Sequence, residues 1–335
     1  MTSVEVDFLS STGDLDGAGA DGATRRAVIQ AAREGLLRPD KRLPAWLLYD
    51  ARGSAFFEQI TELPEYYPTR TERAILAAHA AEMIEAAGPP VAVAELGAGT
   101  ASKTRLLLSA LLEQQDGAVY VPIDVSPSAL NLAKAALARF RRLSVHPVVG
   151  RYPEDLGVLD AIPGRRLLLF LGSNLGNYDP EPAASLLSAV RARLRPGDAF
   201  LIGTDLRKSG RILVPAYDDA AGVTARFNKN VLARLNTDLG GDFDLQSFRH
   251  VVRWNAAASR VDLYLESLGA QQVRLRALST VIRFAAGERI HTESSYKFTR
   301  QGVRALVAAA GFRWERSWQD ERRWFAVHLV RVPAS

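Results

Sequence analysis

Val91-Ala-Val-Ala-Glu-Leu-Gly-Ala-Gly-Thr100 is the stretch on which the fold turns. A short, almost wholly apolar run over 91–96 stops at Gly97 and Gly99, and a helix-like stretch over 103–112 follows, so the segment reads as strand, glycine turn, helix. Working outward, a second strand over 119–123 ends at Asp124 and leads into a helical pattern over 127–142. A third strand is expected over 145–149. A fourth, over 167–171, has no polar alternation, as a parallel sheet covered on both faces requires. A helix over 181–194 and a strand over 199–203 continue the rhythm, which is that of a doubly wound α/β sheet. Between Asp205 and Phe298 the rhythm fails. There an amphipathic stretch over 223–235 and strand-like runs over 261–265 and 273–284 read as an inserted α+β unit. The sheet resumes with a helix over 299–310, Gly311, and strands over 312–318 and 324–332.

Upstream of the first strand, residues 1–22 are rich in Gly, Ser, Asp and Ala and read as a flexible leader. A helix is expected over 23–37, broken by Arg38-Pro-Asp-Lys-Arg-Leu-Pro44. The density of Tyr and Pro over 46–73 suggests a loop-rich cap rather than core.

Composition narrows the function. The chain has 335 residues, 47% hydrophobic and 24% charged, as a soluble globular protein does, so disorder is not expected in the main body. It has no cysteine, which removes disulfides, thiolate metal sites and cysteine nucleophiles, and fits a reducing cytoplasm. The five histidines are scattered without ligand spacing, so no metal site is expected. Basic residues behind the net charge of +5 are interleaved with acids, so they read as a solvated surface and not as a nucleic-acid footprint. No apolar run reaches eighteen residues, and no basic segment followed by an apolar one opens the chain, so neither a membrane span nor a secretory signal is expected. A cytoplasmic monomer is the expectation.

Three details favour S-adenosyl-L-methionine over a dinucleotide, the second of them a mark of nucleoside binding that NAD sites share. Glu95-Leu-Gly97-Ala-Gly99-Thr-Ala101 lacks the third glycine of a pyrophosphate-binding turn. Asp124 closes the second strand where it can accept hydrogen bonds from both ribose hydroxyls. Asp124 could also cap the following helix, but Ser126 before Pro127 suits that role better. Leu194-Arg-Pro-Gly-Asp198 before the fifth strand, and Gly311-Phe312 before two terminal strands, resemble the layout of class I methyltransferases. The expected fold is therefore a Rossmann-like, class I methyltransferase using S-adenosyl-L-methionine (SAM), with an inserted α+β substrate-binding domain. Its expected division is a leader over 1–22, a helical cap contributing to the substrate site over 23–73, the methyltransferase domain over 74–205 and 298–335, and the inserted domain over 206–297.

More specific segments recur along the chain. Tyr49-Asp-Ala-Arg-Gly-Ser54, Leu63-Pro-Glu-Tyr-Tyr-Pro-Thr-Arg-Thr-Glu72, Gly172-Ser-Asn-Leu-Gly-Asn177, Ala216-Tyr-Asp-Asp-Ala-Ala-Gly-Val-Thr224, Phe227-Asn-Lys-Asn-Val231 and His291-Thr-Glu-Ser-Ser-Tyr-Lys-Phe298 span roughly 35–330. In them the sequence resembles the histidine Nα-methyltransferases of ergothioneine biosynthesis. That resemblance implies a small-molecule partner, histidine, bound between two domains and methylated three times on its α-amine to hercynine. It implies that Asn177 and Tyr217 hold the substrate amine and carboxylate at the reacting centre, with Gly172 beside them. Glu293 and Ser295 would bind the imidazole, Tyr49, Phe57 and Tyr66 would line the ring pocket, and Leu263 would lie near the ring. Gly97, Gly99, Lys103 and Asp124 would bind the cofactor, with Tyr152 near adenine.

The residue types suit this chemistry. Methyl transfer joins an amine lone pair to an electrophilic carbon in line, so it needs orientation rather than a covalent nucleophile. A carboxylate and a hydroxyl two apart on an extended segment lie on one side and can meet both nitrogens of an imidazole. Taken singly, Glu293 reads as a surface acid, Tyr66 and Tyr67 as core aromatics and Asn177 as a turn residue; it is their joint occurrence with Tyr217 that indicates a site. Two positions depart from the family's habit. Gly150-Arg-Tyr152 stands where an acid and an aromatic are common, leaving Glu154 or Asp155 to meet the adenine amino group, and Leu263 stands where methionine is usual. The latter opens a second reading, N-methylation of another aromatic amino acid such as tryptophan. A nucleic-acid methyltransferase is a third, argued against by the absence of an Asn/Asp-Pro-Pro-aromatic turn after the fourth strand.

Overall fold

The computed structural model describes residues 18–334. Most of the expected leader lies outside the described residues. The first helix, α1 (Ala18–Leu36), begins within its last five residues.

The region 46–73, expected to be rich in loops, is largely helical. Asp50 accepts a hydrogen bond from Gly53 N at 2.7 Å and so caps α2 (Ala51–Thr61). Pro68 sits in the first turn of α3 (Tyr67–Ala87), where its missing N–H costs nothing. Tyr67 and Pro68 thus open a helix instead of breaking one.

The main sheet follows in order: β1 (Ala92–Leu96), α4 (Thr104–Gln114), β2 (Ala118–Asp124), α5 (Pro127–Leu137), β3 (Leu143–Val145), β4 (Val148–Val149), β5 (Arg166–Phe170), α6 (Pro180–Arg193) and β6 (Ala199–Asp205). The strand expected over 145–149 is two short ones. Pro147 has no N–H to donate, so the ladder breaks between them. Beyond β6 come α7 (Gly210–Leu213), α8 (Val223–Leu239), β7 (Phe248–Asn255), β8 (Arg260–Ser267), β9 (Gln271–Leu275), β10 (Thr280–Phe284) and β11 (Arg289–Tyr296). The run expected over 273–284 is a hairpin of β9 and β10, turned at residues 276–279 with Ser279 in the left-handed region. Last come α9 (Arg300–Ala309), β12 (Arg313–Gln319) and β13 (Phe325–Arg331).

In space the large sheet runs β12-β13-β6-β5-β1-β2-β3, with β4 also on β2. β6, β5, β1, β2 and β3 are parallel, and β13 pairs antiparallel to β6. Helices cover both faces, so β1, β5 and β6 are buried along their whole length. Each large apolar side chain so buried contributes roughly 1.5–3 kcal/mol. β7, β8 and β11 form a separate antiparallel sheet. Its inner face shares one core with the N-terminal helices: Val28, Leu36, Leu47 and Ile60 pack in the same cluster as Phe248, Leu263, Leu265 and Phe227. The two sheets join where the chain leaves and re-enters the large one, with Phe298 N donating to Asp205 O at 2.9 Å and Arg207 N to Phe298 O at 2.8 Å. The seam therefore lies at the carboxyl end of β6.

Candidate active site

The carboxyl edge of the parallel strands opens into a cleft of about 940 Å³, large enough for a nucleoside-sized ligand. β1 delivers the chain to Gly97, whose φ of +69° favours glycine and whose N donates to Ile123 O at 2.8 Å. A Cβ on Gly97 would come within 2.5 Å of Asn174 Nδ2 and 2.8 Å of Tyr152 Oη, so only glycine fits this cradle. Gly99 has φ +52° and faces open space. Asp124 accepts from Gly99 N at 2.8 Å and from Ser126 N at 2.9 Å, which fixes its carboxylate at the cleft wall. Burial pushes its pKa up, and the backbone N–H groups oppose that shift. Ser126 is the N-cap of α5, accepting from Ala129 N. Tyr152 is half-buried beside Gly97 at the cleft wall, and desolvation there raises its phenol well above the ordinary value.

Two expected cofactor neighbours are held differently. Lys103 Nζ pairs with the fully buried Glu72, which also accepts from Gly172 N at 2.9 Å; Lys103 is therefore anchored beneath the Gly172 turn and does not line the cleft. Of the two acids that could replace the missing adenine contact, Glu154 lines the cleft, whereas Asp155 is turned back to accept from Arg151 N at 2.7 Å.

Behind the cleft lies a smaller cavity of about 30 Å³, and Tyr49, Phe57, Asn174, Asn177 and Glu293 wall both spaces. All of the substrate residues expected from the sequence line this cavity, though they come from distant parts of the chain. Tyr49 follows the turn over 45–48, Phe57 projects from α2, and Tyr66 caps α3. Gly172 follows β5 with φ +75°, Asn177 ends the turn Asn174–Asn177, and Tyr217 follows the turn Val214–Ala216. Leu263 stands on β8 directly across from Glu293 on β11. A β-bulge between His291 and Glu293 re-aims β11, so Glu293 and Ser295 are buried at the cavity while His291 stays at the rim of the cleft.

The aromatic wall is a set of edge-on contacts. Tyr49 meets Phe57 at 5.5 Å and Phe227 at 5.4 Å between ring centroids, Phe57 meets Tyr66 at 6.1 Å, and Tyr66 meets Tyr217 at 6.2 Å. Burial pushes Glu293 up to about 7, although the Lys297 charge nearby pulls the other way. Tyr217 Oη and Ser295 Oγ are 2.8 Å apart. Lys297 Nζ donates to them at 2.6 and 2.7 Å and pairs with Asp205 at 2.9 Å. Asp205 also accepts from Tyr67 Oη at 2.7 Å and from Lys208.

Reading the sequence missed Phe227, Asn174, Glu72, Asp205 and Lys297. Phe227, Asn174, Glu72 and Lys297 fall inside quoted segments, and the period-2 alternation 293, 295, 297 is a signal for Lys297. Asp205 carries no such local sign. Among the described residues no cluster of three or more His, Cys, Asp or Glu is arranged to hold a metal, and no helix is long and apolar enough to cross a membrane.

A doubly wound sheet with an antiparallel last strand, a two-glycine turn after β1 and an acid closing β2 make this a class I SAM-dependent methyltransferase. The particular family follows from comparison. A family model described as "Histidine-specific methyltransferase, SAM-dependent" matches residues 28–332, and the chain belongs to that family. It is 46% identical to the histidine N-alpha-methyltransferase of Mycolicibacterium smegmatis, over 93% of this chain and 96% of that protein. It is also 46% identical to the protein of the same name from Mycobacterium tuberculosis, over 88% of this chain and 92% of that one. The ergothioneine biosynthesis protein 1 of Neurospora crassa is 30% identical over 87% of this chain, which spans 33% of that longer protein.

Proposed function

We propose that the protein transfers methyl groups from SAM to the α-amino nitrogen of histidine, three in succession, giving hercynine, the step that ergothioneine biosynthesis uses. The observation that carries this reading is the joint placement of Glu293, Ser295, Tyr217 and Asn177 around one cavity that shares walls with the cleft lined by Gly97 and Gly99. Gly97 and Gly99 would border the cofactor's methionyl part, with open space at Gly99, Asp124 would take the ribose hydroxyls, Tyr152 and Glu154 would flank adenine, and Lys103 would act from beneath Gly172. When bound there, SAM supplies an electrophilic methyl on a sulfonium.

The chain's own residues then have three tasks. They must present a lone pair, and an α-amine with a pKa of about 8 is mostly protonated at neutral pH; Asn177 through its amide oxygen and Tyr217 through its phenolic oxygen accept from the amine and keep its lone pair aimed. They must hold the ring, for which Glu293 accepts the imidazole N–H while Ser295 meets the other nitrogen. They must exclude water, which the edge-on wall of Tyr49, Phe57, Tyr66 and Phe227 does. Tryptophan fits less well. Its indole has one N–H and no ring acceptor, so the ring would offer Ser295 nothing to donate to in a buried site, and such a mismatch costs up to about 10⁴ to 10⁵ in selectivity. The partner is thus a small amino acid.

Incubating the purified protein with SAM and single amino acids, then reading products by mass spectrometry, tests this. Histidine should gain one, two and finally three methyl groups. Unmodified histidine alongside a methylated tryptophan or other aromatic amino acid would overturn the reading.

A further inference from the structure

Lys297 belongs to none of the roles above, yet it is wholly buried behind the two hydroxyls that face the cavity. We propose that Lys297 is the positioning residue that limits hydrogen-bond capacity in this pocket, leaving the Ser295 and Tyr217 pair one donor and one acceptor for the substrate. The proposal rests on the histidine reading and deepens it: the pocket selects an uncharged imidazole.

The argument is a count of protons and lone pairs. An ammonium has three donors and no acceptor. Those of Lys297 go to Tyr217 Oη at 2.6 Å, Ser295 Oγ at 2.7 Å and Asp205 Oδ2 at 2.9 Å, so none is spare and one lone pair is filled on each hydroxyl. The hydroxyls are also 2.8 Å from each other, so one donates to the other. The pair as a unit therefore shows the cavity one O–H and one lone pair. If Tyr217 donates to Ser295, then Ser295 turns its proton to the cavity and Tyr217 keeps a lone pair there. That arrangement suits a ligand with a ring acceptor beside Ser295 and an amine N–H beside Tyr217. Glu293, on the same strand and buried, is the acceptor for the other ring nitrogen. A neutral imidazole has one donor and one acceptor and satisfies all three; an imidazolium has two donors and would face the Ser295 proton. A buried neutral side chain at 297 would free one lone pair on each hydroxyl, so the pair would no longer show the ligand a single donor and a single acceptor.

Lys297 also ties this polarity to the main sheet. Asp205 ends β6, and Lys297 follows β11, so the ion pair links the strand edge that holds the cofactor cleft to the strand that holds the ring. Asp205 keeps Tyr67 and Lys208 as partners when Lys297 is replaced, so its carboxylate does not become a lone buried charge.

The test is titration calorimetry with S-adenosylhomocysteine saturating, using histidine and β-(2-thienyl)alanine, whose ring has similar size and no nitrogen. The unsubstituted protein should prefer histidine. Lys297→Met should weaken histidine roughly 10- to 100-fold, leave thienylalanine and S-adenosylhomocysteine almost unchanged, and so shrink the preference. Lys297→Gln, which keeps an amide donor, should fall between. A preference unchanged in Lys297→Met, or in Lys297→Gln should the methionine variant not fold, overturns the role of Lys297 alone. An unsubstituted protein without preference for histidine would instead sink the substrate reading on which the role depends.

Discussion

Strand β6 is bracketed by two aspartates, and each is paired with a buried cation, yet the two pairs do different things. At the amino end Asp198 meets Arg166, both 1% exposed: Arg166 Nε reaches Asp198 at 2.7 Å, Nη1 reaches Leu159 O at 2.6 Å and Nη2 reaches Arg193 O at 2.9 Å. Every direction of that guanidinium ends on protein. At the carboxyl end Asp205 meets Lys297, equally buried, but here two of the cation's three protons end on hydroxyls that wall a cavity. Burial and charge are the same in both regions. What differs is whether the partner's partners face protein or ligand, and that difference separates an ion pair that serves stability from one that serves recognition.

The comparison can be broken at either end. Arg166→Met should have the largest effect on folding: it leaves the Asp198 carboxylate buried without a countercharge, held only by the backbone N–H groups of residues 166 and 195, a loss of about 3–5 kcal/mol. The denaturation midpoint should drop accordingly, while the activity of the remaining folded protein on histidine stays near that of the parent. Intact stability with lost activity would show that the amino end also serves the site.

The next effect is at Glu293, whose carboxyl is pushed up to about 7 by burial. Its folded pKa lies above the ordinary 4.5, so the folded protein holds that proton more tightly than the unfolded chain does. In the ligand-free protein this favours folding at pH below about 4.5, and the contribution is lost as pH rises through 7. Glu293→Gln should therefore stabilise the free protein at pH 8, by on the order of 2–3 kcal/mol. Binding runs the other way, because the carboxyl must be ionised to accept the ring N–H. Histidine affinity of the parent should fall about tenfold per pH unit below 7 from Glu293 alone, and Glu293→Gln should bind weakly, keeping only the pH dependence that comes from the ligand's own imidazole, with its ordinary pKa of about 6.5. Calorimetric titrations at pH 6, 7 and 8 check the binding, and thermal melts check the stability. The smallest effect is expected away from both pairs: Ser126→Ala removes the cap of α5 and should cost about 1 kcal/mol, with histidine binding unchanged.

How much of this could be read in the sequence depends on how local each signal is. The parallel strands were legible because burial on both faces leaves continuous apolar runs, as in 167–171, and because the glycine pair after β1 has a backbone that no other residue adopts freely. The cap over 46–73 was misjudged, since Tyr and Pro were read as loop formers while Asp50 and Pro68 begin helices. The break at Pro147 and the turn inside 273–284 were local too, but short. The site was legible only as a set of segments resembling a family. Glu293 alone gives no sign of burial, which depends on Leu263 across the ladder and on the N-terminal helices packed over it. Asp205 and Lys297 meet only because the chain leaves the sheet and returns to the same point, something no periodicity can encode.

The measurement that bears most directly on the central claim is a crystal structure with S-adenosylhomocysteine and histidine bound together. The account predicts one imidazole nitrogen against the Glu293 carboxylate, the other within hydrogen-bond reach of Ser295 Oγ, and the α-nitrogen pointing to the cofactor sulfur across the Gly97–Gly99 turn. A histidine with its ring out in the wide cleft and its amine away from that turn would contradict it.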